Sequence, residues 1–220
     1  MASTNTRAQR RTVVTLLALV AAVAIAAVVI VISLTPPSTP RSEAAPEAAA
    51  TASAPTALEA YPAARDAALQ WADDAQLAGA AGAWTPPINT GVMTTGRTSW
   101  SFFFYSRSLG GMATVVATEQ GGQIDAQFIS SMAFPTETAL LSDVGWVIDS
   151  NEVVRMLLEN GGTAFMSGRE DQVAVNLRLS TAASNGRILW IASALHGSDP
   201  SLASLVVEVD ATTGEVQNVQ

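Results

Sequence analysis

The side chains able to do chemistry are few, and the gaps among them narrow the choices first. The 220-residue chain has no Cys, and its one His is His196. Thiol chemistry, disulfides, Cys-based zinc sites and any two-His metal site are therefore excluded. All 11 basic residues are Arg, which removes a catalytic Lys, a Schiff base and a P-loop as well. His196 is followed by Gly197-Ser198-Asp199-Pro200, the residue types of a Ser-His-Asp triad. A Ser-His-Asp arrangement is possible in principle, but the chain has no G-x-S-x-G elbow, and His196 reads as an exposed loop residue. Asp210, Thr212 and Glu215 offer oxygens to a hard cation, but a calcium site gathers about six to eight of them. Their spacing around Gly214 is that of a hairpin turn, in which the Asp caps its own backbone and Gly accepts positive φ. Asp73-Asp74 and Glu170-Asp171 read as solvated charges. No catalytic, cofactor-binding or metal-binding residue is assigned, and no cofactor is expected.

Residues 13–33 read VVTLLALVAAVAIAAVVIVIS, 21 positions without a charge. At about 1.5 Å per residue, such a helix crosses a hydrocarbon core of roughly 30 Å. Arg7, Arg10 and Arg11 precede this run, whereas Arg41 beyond it is balanced by Glu43 and Glu47. That asymmetry predicts a cytoplasmic N-terminus at 1–12, a single-pass transmembrane helix at 13–33 that contacts the lipid bilayer, and everything later extracytoplasmic. A cleaved signal peptide competes with this signal-anchor reading. It would need an apolar run of about 7 to 15 residues before a small-residue cleavage site; the run here is longer and exits into L-T-P-P-S-T-P, although A-x-A patterns lie within it. Residues 34–56, rich in Pro, Ala, Ser and Thr, cannot bury a core and predict a semi-rigid stalk.

Beyond the stalk, residues 57–220 carry 7 Arg against 17 acids, a balance of -10. Such a surface repels nucleic acid and anionic lipid and keeps a domain soluble, so no nucleic-acid partner is expected. Tyr61, Ala64, Ala68, Trp71, Ala75 and Ala78 recur at helical spacing and predict a helix over 57–78, stopped by Gly79. A second helix starts at D-S-N-E, 149–152, where a cap carboxylate stands three residues before Glu152, and it ends at N-G-G, 160–162. Each helix leads into strand patterns with matching details. G-R-x-x-W occurs at 96–100 and at 186–190, and strand-turn-strand patterns follow around Gly122 and Gly214. The distances from Trp to Gly are 22 and 24 positions, a difference one loop absorbs. This predicts a duplicated unit at 57–127 and 148–220, joined by a connector at 128–147, with a short helical turn at 135–141. Additional strand material is expected in the second copy at 163–166 and 173–180, against only a Pro- and Gly-containing stretch at 84–97 in the first. In Trp100 to Tyr105, aromatics alternate onto both strand faces, one facing the core and the other expected to pack on the helix of the neighbouring repeat or, less favoured, to line a groove for a ligand.

The D-S-N-E start, the N-G-G helix end, the strand around Trp190 and the terminal V-E-V-D-A-T-T-G-E-V at 207–216 resemble the PepSY family in its tandem, extracytoplasmic form. The resemblance covers 148–220, and it reaches 57–127 through the repeat. It implies an α+β fold in which each unit is a helix packed on an antiparallel β-meander. PepSY modules occur in metalloprotease propeptides and in envelope proteins, so the resemblance also implies modulation of a peptidase and brings no catalytic residues. The expected function is therefore a non-catalytic, membrane-anchored binding or regulatory module with an envelope protein or peptidase as partner. The alternatives are a structural envelope spacer or assembly subunit and, less favoured, an acidic envelope hydrolase. Sequence alone does not specify the oligomeric state.

Overall fold

Runs of β-branched, aromatic and small residues punctuated by Gly turns dictate a strand-rich chain. The computed structural model describes residues 54–97, 99–134, 139–141, 145–182, 185–197 and 204–220. Helix α1 (Ala57–Trp71) leads into β1 (Gln76–Trp84), a short helix α2 (Thr90–Met93), β2 (Ser99–Ser106), β3 (Gly111–Gln120) and β4 (Gln123–Ala133). Helix α3 (Ser150–Leu157), a wide helical turn at Leu158–Gly162 and the short α4 (Thr163–Met166) then precede β5 (Val173–Thr181), β6 (Ile188–His196), β7 (Ser204–Asp210) and β8 (Val216–Val219). The strands form one antiparallel sheet in the order β4-β3-β2-β1-β5-β6-β7-β8.

This corrects the predicted α+β arrangement of a transmembrane helix followed by two units, each a helix on its own meander. Strand, not helix, dominates, and the two meanders are a single eight-stranded sheet. The physical reason lies at the centre. An isolated meander would leave the outward-facing amides and carbonyls of β1 and β5 unpaired, and the two strands satisfy one another from Ala80↔Leu179 to Trp84↔Val175. Among the described residues no helix is long and apolar enough to cross a membrane. The segment 13–33, where the sequence predicts one, lies outside them, as do 1–12 and the stalk up to residue 53.

Three local expectations are also corrected. The predicted helix 57–78 stops at Trp71, and Gln76–Trp84 is strand. Alanines at helical spacing misdirect here, because the real constraint is small size on a strand: a Cβ on Gly82 would stand 2.6 Å from the Trp100 ring. Phe128, assigned to the connector, belongs to β4, which runs on to Ala133. Thr163–Met166 is helical rather than strand. The second helix does end at N-G-G, as expected: Asn160 and Gly161 leave helical geometry there, Gly161 with a φ of 108°, a conformation Gly tolerates at no steric cost. Of the predicted turn at 135–141, residues 135–138 lie outside the described chain, and the Leu141 amide donates to the Leu77 carbonyl.

Both long helices lie on one face of the sheet. Ala57, Ala60, Ala64 and Ala68 of α1 and Val153, Val154 and Leu157 of α3 are buried in the same core as Phe102, Phe104, Leu177, Leu179 and Val207. At its centre are two indoles. Trp100 and Trp190 are fully buried, their ring centroids 6.4 Å apart at 67°. Each occupies the second strand of its half, and each donates its Nε1 proton to the carbonyl just before a helix cap: Trp100 to Pro55 at 3.0 Å, Trp190 to Ile148 at 2.8 Å. The helices begin alike, with reciprocal capping boxes, Thr56 with Glu59 and Asp149 with Glu152.

Those N-termini also touch. The Ala57 amide donates to Ser150 Oγ at 3.0 Å, and the Leu58 amide to Asp149 Oδ1 at 3.1 Å, while that same oxygen accepts from the Ser150 amide at 2.6 Å. Two converging helix N-termini repel through their partial positive charges, and a carboxylate between them offsets this. Asp149→Ala is therefore expected to cost more than an ordinary cap. Urea denaturation should show a loss of ~2–3 kcal/mol, against ~1 kcal/mol for Thr56→Ala; equal losses would mean that Asp149 serves α3 alone. Gly82→Ala, which drives a methyl into Trp100, is expected to destabilise by ~1–3 kcal/mol in the same measurement.

Candidate functional site

The residues that could carry chemistry are dispersed. His196 is the half-buried last residue of β6, opposite Val173, and so not the exposed loop residue expected; residues 198–200 beside it lie outside the described chain. Asp210 Oδ1 accepts from the Thr212 and Thr213 amides at 2.9 and 3.1 Å, Gly214 takes a φ of 77°, and Asp210 Oδ2 lies 3.8 Å from Arg187 Nη1. The carboxylate thus caps its own hairpin, as the turn spacing predicts. Glu170 has a structural role on both its chain groups. Its carbonyl accepts from the Ile88 amide and its Oε1 from the Gly168 amide. Among the described residues no three His, Cys, Asp or Glu side chains group as metal ligands would.

Asp73 and Asp74 part company. Asp73 is exposed, whereas Asp74 Oδ1 accepts from Ser106 Oγ at 2.6 Å and Ser108 Oγ at 2.9 Å, and Oδ2 accepts from the Ser108 amide at 2.8 Å. The Ser106 hydroxyl, then the Ser108 amide, stabilise the charged form and lower the Asp74 carboxyl to about 2. This clamp ties the α1–β1 turn to the β2–β3 turn. A shallow cleft alongside is lined by Tyr61, Arg65, Asp73, Asp74, Gln76 and Leu141. Both Asp74 oxygens are committed to the clamp, so the cleft offers no free general base at that position. Arg97 is used structurally too. Its amide donates to the Pro55 carbonyl, its Nε to the Ser99 carbonyl at 2.6 Å, and its guanidinium lies 5.9 Å from the Trp84 ring centroid, while burial lowers its pKa to about 10.

The sheet edges present the larger opportunity. At one end β8 is four residues long; at the other β4 spans eleven, from Gln123 to Ala133. Natural edges are guarded by Lys, Pro, short length or bulges. β4 has neither Lys nor Pro, one charge at Asp125, and a single register irregularity opposite Thr114/Val115. Three large apolar side chains stand out from it: Phe128 at 44% exposure, Ile129 at 38% and Met132 at 51%. Trp71 from the end of α1 stacks on Phe128 with centroids 6.4 Å apart, holding that ring toward the helical face. The sequence carries a signal for this edge in its eleven-residue run with one charge and no Pro, which the placement of a connector at residue 128 cut in two.

Comparison with protein-family models, with curated proteins and with solved structures finds no match. The site is therefore argued from its own geometry. For the Asp74 clamp the pH dependence has a definite sign. A carboxyl lowered from 3.8 to about 2 contributes stability that is fully present above the higher value and is lost as pH falls through the lower one. The stability difference between wild type and Asp74→Asn, followed by urea denaturation, is expected to be constant above about pH 5 and to shrink between about pH 4 and pH 2. A difference unchanged across that window would remove the clamp from the charge balance.

Proposed function

We propose that this protein is a non-catalytic binding or regulatory module of the cell envelope that recognises an extended polypeptide segment along β4. The observation that carries this reading is the edge itself: eleven residues of strand with one charge, no Lys and no Pro, and with Phe128, Ile129 and Met132 exposed. A strand added there gains main-chain hydrogen bonds along one side, and alternate side chains would meet Ile124, Ala126 and Phe128 on one face and Asp125 and Gln127 on the other. Display outside the membrane, with attachment to the bilayer through 13–33 and an N-terminus in the cytoplasm, rests on the uncharged run and its basic flank. A peptidase is the partner class that the PepSY-like motifs at 148–220 suggest. Confinement to a shared membrane surface raises effective concentration and makes weak edge contacts useful.

The test compares the full chain with a double variant, Ile129→Lys/Met132→Lys, whose edge charges oppose strand addition while touching exposed positions only. Recovery of a specific envelope protein by the wild type and its loss with the folded double variant is the expected result. Equal recovery by both would remove β4 as the recognition element. Protease added to intact protoplasts is expected to degrade the 57–220 domain; its protection until lysis would overturn the extracytoplasmic placement.

A further inference from the structure

The helices cover one face of the sheet, and among the described residues no helix packs on the other. Strand register identifies that open face. Trp100, Phe102 and Phe104 point toward α1, so Ser101, Phe103 and Tyr105 point away, Ser101 and Tyr105 being nonetheless buried, together with their cross-strand partners Ala81, Val116, Thr114 and Met112. Across the central gap the same face carries Asn176, Arg178, Ile191, Ser193 and Leu195. On these five strands, β3-β2-β1-β5-β6, its one charged residue is Arg178. Of the domain's 17 acids, Glu208 opposite Ile191 and Asp125 opposite Thr118 lie on the same face, on the flanking strands β7 and β4, and neither pairs with Arg178.

Sheet faces bathed in water normally alternate with polar residues, while strands covered on both faces read as continuous apolar runs. Two strands here are of the second kind, SWSFFFYS in β2 and ILWIASALH in β6, whereas β5 between them, VAVNLRLST, alternates apolar with small or polar residues. β2 and β6 have the composition of strands covered on both faces.

Arg178 has a particular place in it. Ala80 pairs with Phe102, two residues after Trp100, and Leu177 pairs with Ala192, two residues after Trp190. Ala81 and Arg178 are thus equivalent positions in the two halves, and they pair with each other. Arg178 sits on the approximate twofold axis, at the middle of the open face. It is exposed, and no carboxylate of the described residues pairs with it.

We propose that this face is an interface for a helix of another protein, apolar along its contacting stripe and carrying a single Asp or Glu placed over Arg178. The interior strands have already spent their backbone groups on one another, so an extended segment gains no hydrogen bonds here, whereas a helix satisfies its own. Covering Arg178 without a counter-ion strands a desolvated charge, which selects a partner that brings a carboxylate. A second copy packed face to face on the centre of this surface would set Arg178 against Arg178. The balance of -10 on residues 57–220 repels a partner acidic overall, so the carboxylate is an isolated one in a neutral stripe. The inference is independent of edge recognition, since it uses other residues and another partner conformation.

Full-length protein in neutral phosphatidylcholine nanodiscs is titrated with three synthetic helical peptides. They share a Leu/Ala stripe and differ only in a central Glu, Gln or Lys. Affinity is expected to fall in that order, by about fivefold or more from Glu to Lys, to reverse in Arg178→Glu, and to level in the milder Arg178→Gln. The edge variant Ile129→Lys/Met132→Lys is expected to bind the Glu peptide as wild type does, which separates failure of this proposal from failure of edge recognition. Equal affinities for the three peptides, an order that Arg178→Gln leaves intact, absence of binding by all three, or a dimer that excludes the Glu peptide would each overturn it.

Discussion

Two buried indoles and one carboxylate hold the molecule's centre. Trp100 and Trp190 meet edge to face in the core, and each nails the chain entering a helix to the sheet beneath through a single N–H···O bond. Above them, Asp149 and Ser150 receive the first amides of α1. The two carbonyls that accept from these indoles each take a second donor, the Arg97 amide on Pro55 and the Trp146 indole on Ile148, and a pair of opposed helix dipoles without an anion is costly. The placement of both helices, and hence of the core between helices and sheet, follows from these contacts. The ring network extends outward from this point, Trp84 onto Trp100, and Trp146 onto both Trp190 and Tyr61.

The halves repeat this scheme without being identical. Both run helix, then four antiparallel strands, with the tryptophan on the second strand and a Gly turn between the third and fourth. Their differences fall where the two copies meet other duties. β1 is built from Gly and Ala, and a Cβ on Gly82 would meet the Trp100 ring, while its partner β5 carries the buried Leu177 and Leu179. β4 is long and exposed where β8 is short. One outer edge is thus open to a partner and the other nearly closed.

Where a residue type answers to one local constraint, the sequence was legible. The capping box at Asp149, the hairpin at Asp210 and the paired G-R-x-x-W segments all read correctly, because caps and turns depend on residues within a few positions. β1 was not legible. Its alanines satisfy a helical period, and what makes them strand is an indole some twenty positions away that tolerates no side chain at Gly82. The fusion of the meanders was hidden for the same reason, since pairing of Trp84 with Val175 is a contact between residues far apart in the chain. Edge and open face are properties of the assembled sheet. Phe128 and Arg178 gain their meaning from neighbours on other strands, and no window along the chain contains them.

The topology also sets an order of assembly. Every strand pair but one joins consecutive strands, so each half can build its ladder from local hairpins at small loop-closure cost; only β1 with β5 spans the length of the domain. As the chain emerges from the ribosome, the first four strands are complete while β5 has yet to be made. For that interval β1 is a bare edge of small residues, waiting for a partner that any neighbouring chain's β5 can supply equally well. The joint that makes one sheet of two meanders is also the place where two molecules can exchange halves.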